Sequence, residues 1–343
     1  MHGQRWPVVG SLVSLVLLLL AASPPASPAA APKQAPFSLA ILRRDGILLP
    51  FVTYDGHWKN AWPGVGTSPD MPMTLAGIPR NWWPDKKPIT DWNLVPIGTE
   101  PNNVRVVHAK SVNWYRAACV QGIGLYTDYK PTILPPPERV RPYPKDALAF
   151  SGDVQIDPIQ IVGPQDPVVK ALTDALPAEV TPKEEHAIEL LTSHRWKHSY
   201  TAGERKNVPI QLEALYRVPK GREGRNLYYF EAVKRYFMPK DQRDQSKEPR
   251  SCDLVSFVSG WFWLNSKGVI GEIDAKVTIS SCDYAQTSFM LPLGTVVIDD
   301  VRHWIVQWSN PTYESYAILK PTDDGMEQVV VTGGGACPRP EED

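Results

Sequence analysis

Apolar positions along this chain recur every second residue or gather in short unbroken runs, and both patterns read as strands. Ser38–Arg44 and Ile47–Tyr54 are two such runs joined by Asp45-Gly46. Asp-Gly between apolar runs predicts a two-residue hairpin loop, because that turn needs positive φ. Val104–Lys110 and Val112–Val120 read as further strands, and Ala147–Val162 as a weaker one. From Val208 the pattern predicts an antiparallel meander: Val208–Val218, Leu227–Phe237, Leu254–Leu264, Val269–Ser280, Ser288–Ile298, Arg302–Gln307 and Tyr313–Leu319.

A helical period is confined to Gln165–His198. Val168, Val169, Leu172 and Leu176 set a first helix. A second is expected to begin at Thr181 as cap, with Pro182, Glu184 and Glu185 in its first turn and Ile188, Leu190 and Leu191 on its apolar side. The fold expected is therefore mainly β, with antiparallel meander or sandwich-like sheets and a short two-helix insertion. A divergent β-propeller is the alternative, although no repeat of fixed period is visible.

This reading divides the chain into five parts. They are a signal and small-residue linker over 1–31, an N-terminal β region over 36–165 with a Trp/Pro-rich loop at 55–103, a helical insertion over 166–198, a C-terminal antiparallel region over 205–322, and a flexible tail over 323–343. Pro135-Pro136-Pro137 reads as a stiff connector, and Met238–Arg250 as a mobile charged loop.

The clearest local deduction concerns Leu254–Leu264 and Val269–Ser280. A three-residue loop Ser266-Lys267-Gly268, with Gly268 left-handed, sets Asn265 opposite Val269. Carried down the ladder, the same register sets Cys252 opposite Cys282, so a disulfide is expected there. It also places Trp263, Trp261, Phe257 and Val255 on one face with Gly271, Ile273, Val277 and Ile279. Glu272, Asp274, Lys276, Thr278 and Ser280 then take the other, wetter face. Cys119 and Cys337 are left without a strong pairing argument.

Composition adds the address. Val8–Ala22 is almost wholly apolar behind Arg5, with Ser, Pro and Ala following to Pro32. That is the order of a secretory signal, and the run is shorter than a spanning helix. Secretion or a periplasmic location is expected, with membrane contact only through an uncleaved signal segment. Lys and Arg number 36 against 37 Asp and Glu, so no nucleic-acid partner is expected.

Catalytic motifs are missing from this reading. Ser259-Gly260 lacks the first glycine of a nucleophile elbow and lies mid-strand. Gly122-Ile123-Gly124 and Gly64-Val65-Gly66 are too short for phosphate loops. His194 and His198 share a helix face but lack a metal motif, so no metal and no cofactor is expected. Asp45, Asp55 and Asp299-Asp300 read as turn residues. The candidate ligand-binding residues are Trp58, Trp62, Trp82, Trp83 and Trp92, five indoles in a proline-rich segment that either stack on a ligand or pack the segment down. The function expected is a non-catalytic binding or envelope-associated module with a glycan or protein ligand. The alternatives are a secreted hydrolase acting on carbohydrate and a structural or assembly protein.

Overall fold

The computed structural model describes residues 34–62, 74–97, 105–117, 120–137, 143–192, 197–218, 225–237, 252–310, 313–322 and 325–332. Its first half is a closed barrel. β1 (Phe37–Arg43), β2 (Ile47–Tyr54), the short β3 (Trp58–Asn60), β4 (Asp91–Pro96), β5 (Arg105–Ala117), β6 (Val120–Thr127) and β7 (Lys145–Gly152) form one antiparallel sheet in the order β1-β7-β4-β5-β6-β2-β3. β2 also pairs with β1, which closes six strands on themselves. This barrel excludes the propeller alternative.

After the barrel, β8 (Ile156–Asp157) and β9 (Gln160–Ile161) send two residues each into two different sheets. α1 (Pro167–Thr192) and α2 (Ala202–Lys206) follow. β10 (Gln211–Val218), β11 (Asn226–Phe237), β12 (Cys252–Leu264) and β13 (Ile270–Ser281) then build an outer sheet ordered β13-β12-β11-β10-β9. β14 (Phe289–Ile298), β15 (Val301–Asn310), β16 (Tyr313–Thr322) and β17 (Gly325–Thr332) build a middle sheet ordered β17-β16-β15-β14-β8.

The strand faces show why so many runs are apolar without alternation. In β1, Phe37, Leu39 and Ile41 pack against Ile305, Tyr316 and Ile318 of the middle sheet, while Ala40 and Leu42 turn into the barrel lumen. In β15, Ile305 meets the barrel, while Trp304 and Val306 meet the outer sheet. In β11, Leu227 and Tyr229 face the middle sheet, while Tyr228, Phe230 and Ala232 face α1. Strands covered on both sides need apolar residues at every position. The layers therefore run α1, outer sheet, middle sheet, barrel.

The helical insertion is divided differently from expectation. α1 is one continuous helix of 26 residues with Pro177 and Pro182 inside it. Val168, Leu172, Leu176, Val180, Glu184 and Ile188 form one buried stripe with a spacing of four. Both prolines lie on the exposed side, where a missing N–H is tolerated because water solvates the carbonyl it leaves. Thr181 is consequently not a cap; its Oγ1 donates to the Pro177 carbonyl at 2.7 Å. Leu190 and Leu191 are exposed at 59% and 38%, so only Ile188 of the expected apolar trio is buried. The second helix is instead α2, held by a capping box between Thr201 and Glu204.

Four further expectations change. The expected long loop at 55–103 contains β3 and β4, and the β1–β2 loop holds three residues, with Gly46 but not Asp45 at positive φ. The expected flexible tail contains β17, paired with β16, because Val330 and Val331 pack against the two layers that flank the middle sheet. The β12–β13 turn forms as expected, with Gly268 at φ 76, and the Cys252–Cys282 disulfide closes its far end with Cα atoms 6.0 Å apart. Between them, however, a register shift after Phe262 sets Phe262 opposite Ile273 and Trp261 opposite Asp274. A one-residue slip exchanges faces. Trp261 and Phe257 therefore share the side of Asp274 and Thr278, not that of Ile273. Residues 1–33, Cys119, His194, Met238–Arg250 and Cys337 lie outside the described residues.

Candidate functional site

The five indoles named from sequence separate. Trp92 on β4 is fully buried in the barrel lumen beside Leu94, Val107 and Leu125. Trp83, which follows a short 3-10 turn over Arg80–Trp82, is buried in the same cluster. Trp62 and Trp82 pack against that cluster from the barrel end, half-buried, with Trp62 5.3 Å from Trp83 and 5.9 Å from Trp82 between ring centroids. Trp58 stands apart on β3, against Phe37, Tyr54 and His303. The structure thus brings Trp62, Trp82 and Trp83 together and leaves Trp58 outside the group.

A second aromatic region lies between the outer and middle sheets, in a cleft of about 470 Å³. The outer-sheet wall is a grid fixed by strand register. Tyr229, Trp261 and Asp274 stand in one row across β11, β12 and β13, and Glu231, Ser259 and Lys276 in the next. Phe257 and Thr278 continue it. The opposite wall carries Trp308, Ser315, Gln328 and Val331, and Gln286 and Ser288 close one end. Trp308 is half-buried, whereas Asp274, Lys276, Gln286, Ser288 and Gln328 are exposed at the rim. Gly260 belongs to this wall for a steric reason: a Cβ there would come within 2.2 Å of the Asp274 carbonyl oxygen.

Beneath the grid sits Glu231. Its Oε1 accepts from the Tyr229 hydroxyl at 3.1 Å and from the Met290 backbone N–H at 2.7 Å. Burial pushes its carboxyl up to about 7, although both hydrogen bonds pull the other way. Ser259 also hydrogen-bonds the Tyr229 hydroxyl, whose own ionisation is pushed well up by burial and then by the Glu231 charge. The cleft floor is therefore a short chain of polar groups ending in an acid that exchanges a proton near neutral pH.

Two other polar constellations carry different chemistry. Glu184 of α1 reaches the outer sheet, where it pairs with Lys234 at 2.7 Å and accepts from Tyr236 and Ser256 at 2.5 Å each. All four are buried, and the network clamps the helix to the sheet. His198 stacks edge-on against Tyr236, and burial chiefly lowers its basicity. On the barrel, His108 Nδ1 lies 2.7 Å from Asp91 Oδ1 in an exposed pair, and that hydrogen bond raises the histidine. Among the described residues no cluster of three or more His, Cys, Asp or Glu is placed to hold a metal.

Glu231, Glu184 and Trp308 escaped the sequence reading. A signal existed for the first: Glu231 interrupts the apolar run Leu227–Val233, and an acid inside a doubly covered strand must be paired or neutral. Glu184 reads as a first-turn acid only if Pro182 starts a helix, and α1 runs through Pro182 instead. Among the described residues no helix is long and apolar enough to cross a membrane. No family model, no curated protein and no solved structure matches this chain.

Proposed function

We propose that this protein is an exported binding module, secreted or periplasmic, whose ligand is a small organic molecule held in the cleft between the outer and middle sheets. One observation carries the reading: a cavity of about 470 Å³, walled by Trp261, Trp308, Phe257 and Tyr229 and punctuated by a few polar side chains. Ligand sites have that size and that mixture, apolar walls for affinity and sparse polar groups for orientation. Export is supported by the apolar run Val8–Ala22 and by the Cys252–Cys282 bond, which suits an oxidising compartment. A non-catalytic role fits a floor whose acid is engaged by Tyr229 and a backbone N–H.

The test is a small-molecule screen by thermal shift on the protein and on Lys276→Trp. Lys276 is an exposed side chain on the edge strand β13, so an indole there fills the cleft without opening a core cavity. Hits that raise the melting temperature of the parent and leave the variant unmoved support the reading. Hits that act equally on both would place binding elsewhere, with the Trp62–Trp82 surface at the barrel end next in line.

A further inference from the structure

We propose that the cleft takes a neutral saccharide, one terminal sugar or a short oligosaccharide; this rests on the cleft being the ligand site. The argument is complementarity. Asp274 and Lys276 are the charged side chains of the described lining, and they stand two positions apart on one strand. Opposite charges so close largely cancel, and burial keeps the Glu231 carboxyl beneath them protonated below about pH 7, so under mildly acidic conditions the cleft has little net field to gather an anion or a cation.

The remaining polar lining consists of groups that both donate and accept. Ser259 and Thr278 offer hydroxyls, and Gln286 and Gln328 offer amides. The Gln286 Oε1 already accepts from Ser280 at 2.7 Å, which leaves its amide nitrogen to donate. A ligand matched to such a set carries groups of the same double character, which describes sugar hydroxyls. The Trp308 indole, half-buried on the facing sheet, supplies an apolar surface for ring C–H groups. The walls present side chains from sheet faces, so recognition here reads side-chain chemistry and not a backbone ladder.

The experiment uses the protein purified from an oxidising compartment and four neutral probes: maltotriose, cellotriose, chitotriose and mannotriose, titrated by calorimetry and by tryptophan fluorescence. Acetyl-trialanine amide serves as the peptide control, and citrate and spermidine as charged controls. The expected result is that at least one trisaccharide binds, that Gln328→Ala and Trp308→Ala each weaken it about tenfold or more, and that Lys276→Trp abolishes it. Three results would overturn the proposal: no trisaccharide binding up to about 10 mM, sugar binding unchanged in Lys276→Trp, or peptide binding that Lys276→Trp abolishes while sugars stay inert. If a charged control alone binds and is lost in Lys276→Trp, the cleft survives as the ligand site and the saccharide assignment fails. If screening finds nothing sensitive to Lys276→Trp, both fail together. Trp308→Ala is paired with Gln328→Ala because Gln328 is exposed, so its loss tests binding in a folded protein.

Discussion

Two of the aromatic groups, one at the barrel end and one at the inter-sheet cleft, differ in what surrounds them. At the barrel end, six strands close on themselves and leave a lumen narrow enough for side chains to fill. Trp92 and Trp83 are part of that filling, beside Ala40, Leu94 and Val107. In the cleft, two separate twisted sheets pack face to face. Their twist carries the edges apart, and the gap opens where β13 and β17 are the last strands. Closure consumes Trp92 and Trp83 as packing; in the cleft Tyr229, Phe257 and Trp261 are buried as well, and Trp308 is the ring left half-buried beside the polar rim. Indole density along the chain therefore says less about a ligand site than the position of a ring relative to a sheet edge.

The sharpest break of that comparison would come from Trp92. Truncation of a fully buried indole leaves a cavity that a closed lumen cannot collapse to fill, so Trp92→Ala is expected to lose about 3–5 kcal/mol in urea denaturation. Trp308→Ala, half-buried beside a cleft, is expected to lose about 1–2 kcal/mol. Equal losses would mean that the cleft is as packed as the lumen.

Glu231 gives the next effect, and its sign is set by burial. The folded carboxyl titrates near 7 against an ordinary 4.5. The native state then holds the proton more tightly than the unfolded chain, so stability is fully present below about pH 4.5 and falls as pH rises through about 7. The loss amounts to about 3 kcal/mol by pH 8. Glu231→Gln keeps acceptors for Tyr229 and Met290 without the ionisation. Relative to the parent, it is expected to gain stability between pH 5 and pH 8. A constant difference across that range would mean that Glu231 is solvated in the folded protein, and that the cleft floor is wet.

The strands of this protein were legible because each carries its own local signal, a run of apolar residues bounded by turn chemistry. The Cys252–Cys282 bond was reached from the Ser266-Lys267-Gly268 turn, and it forms although most of the ladder between runs one residue out of that register. What failed was whatever depended on a neighbour. The shift after Phe262 exchanged the faces of β12, and no residue there announces it. Pro182 reads as the start of a second helix, yet the stripe from Val168 to Ile188 needs one unbroken helix against the outer sheet. Barrel closure rests on β2 pairing with β1 on one side and β6 on the other, a long-range fact absent from any local window. The cleft follows from the packing of the outer sheet on the middle sheet, equally non-local, so it was invisible, while the indole count was conspicuous.

Removing β17 tests the cleft from its other wall. Ending the chain at Thr322 deletes Met326, Val330 and Val331, which are partly buried against the middle-sheet cores, together with Gln328 at the rim. The expected loss is about 2 kcal/mol, from the apolar area these side chains cover. Chemical denaturation of the truncated chain measures it. A change below about 0.5 kcal/mol would show that β17 adds nothing beyond the pairing of an edge.

The last effect expected separates neighbours. Trp82 and Trp83 are adjacent at the barrel end, yet Trp83 is 3% exposed and Trp82 is half-buried. Successive residues in an extended segment point to opposite sides, and Trp83 has the extended backbone that ends the 3-10 turn. Trp83→Ala removes a ring packed among Ile78, Trp92 and Leu94 and is expected to cost about 3 kcal/mol or more. Trp82→Ala gives up a half-buried contact with Trp62 and with the outer side of that cluster, and is expected to cost about 1 kcal/mol. Paired melting curves decide it. If both variants melt with the parent, the end of the barrel is an open aromatic face, and the contrast with the cleft dissolves. If both collapse, Trp62 and Trp82 belong to the plug, and the barrel end offers no aromatic surface to compare with the inter-sheet cleft.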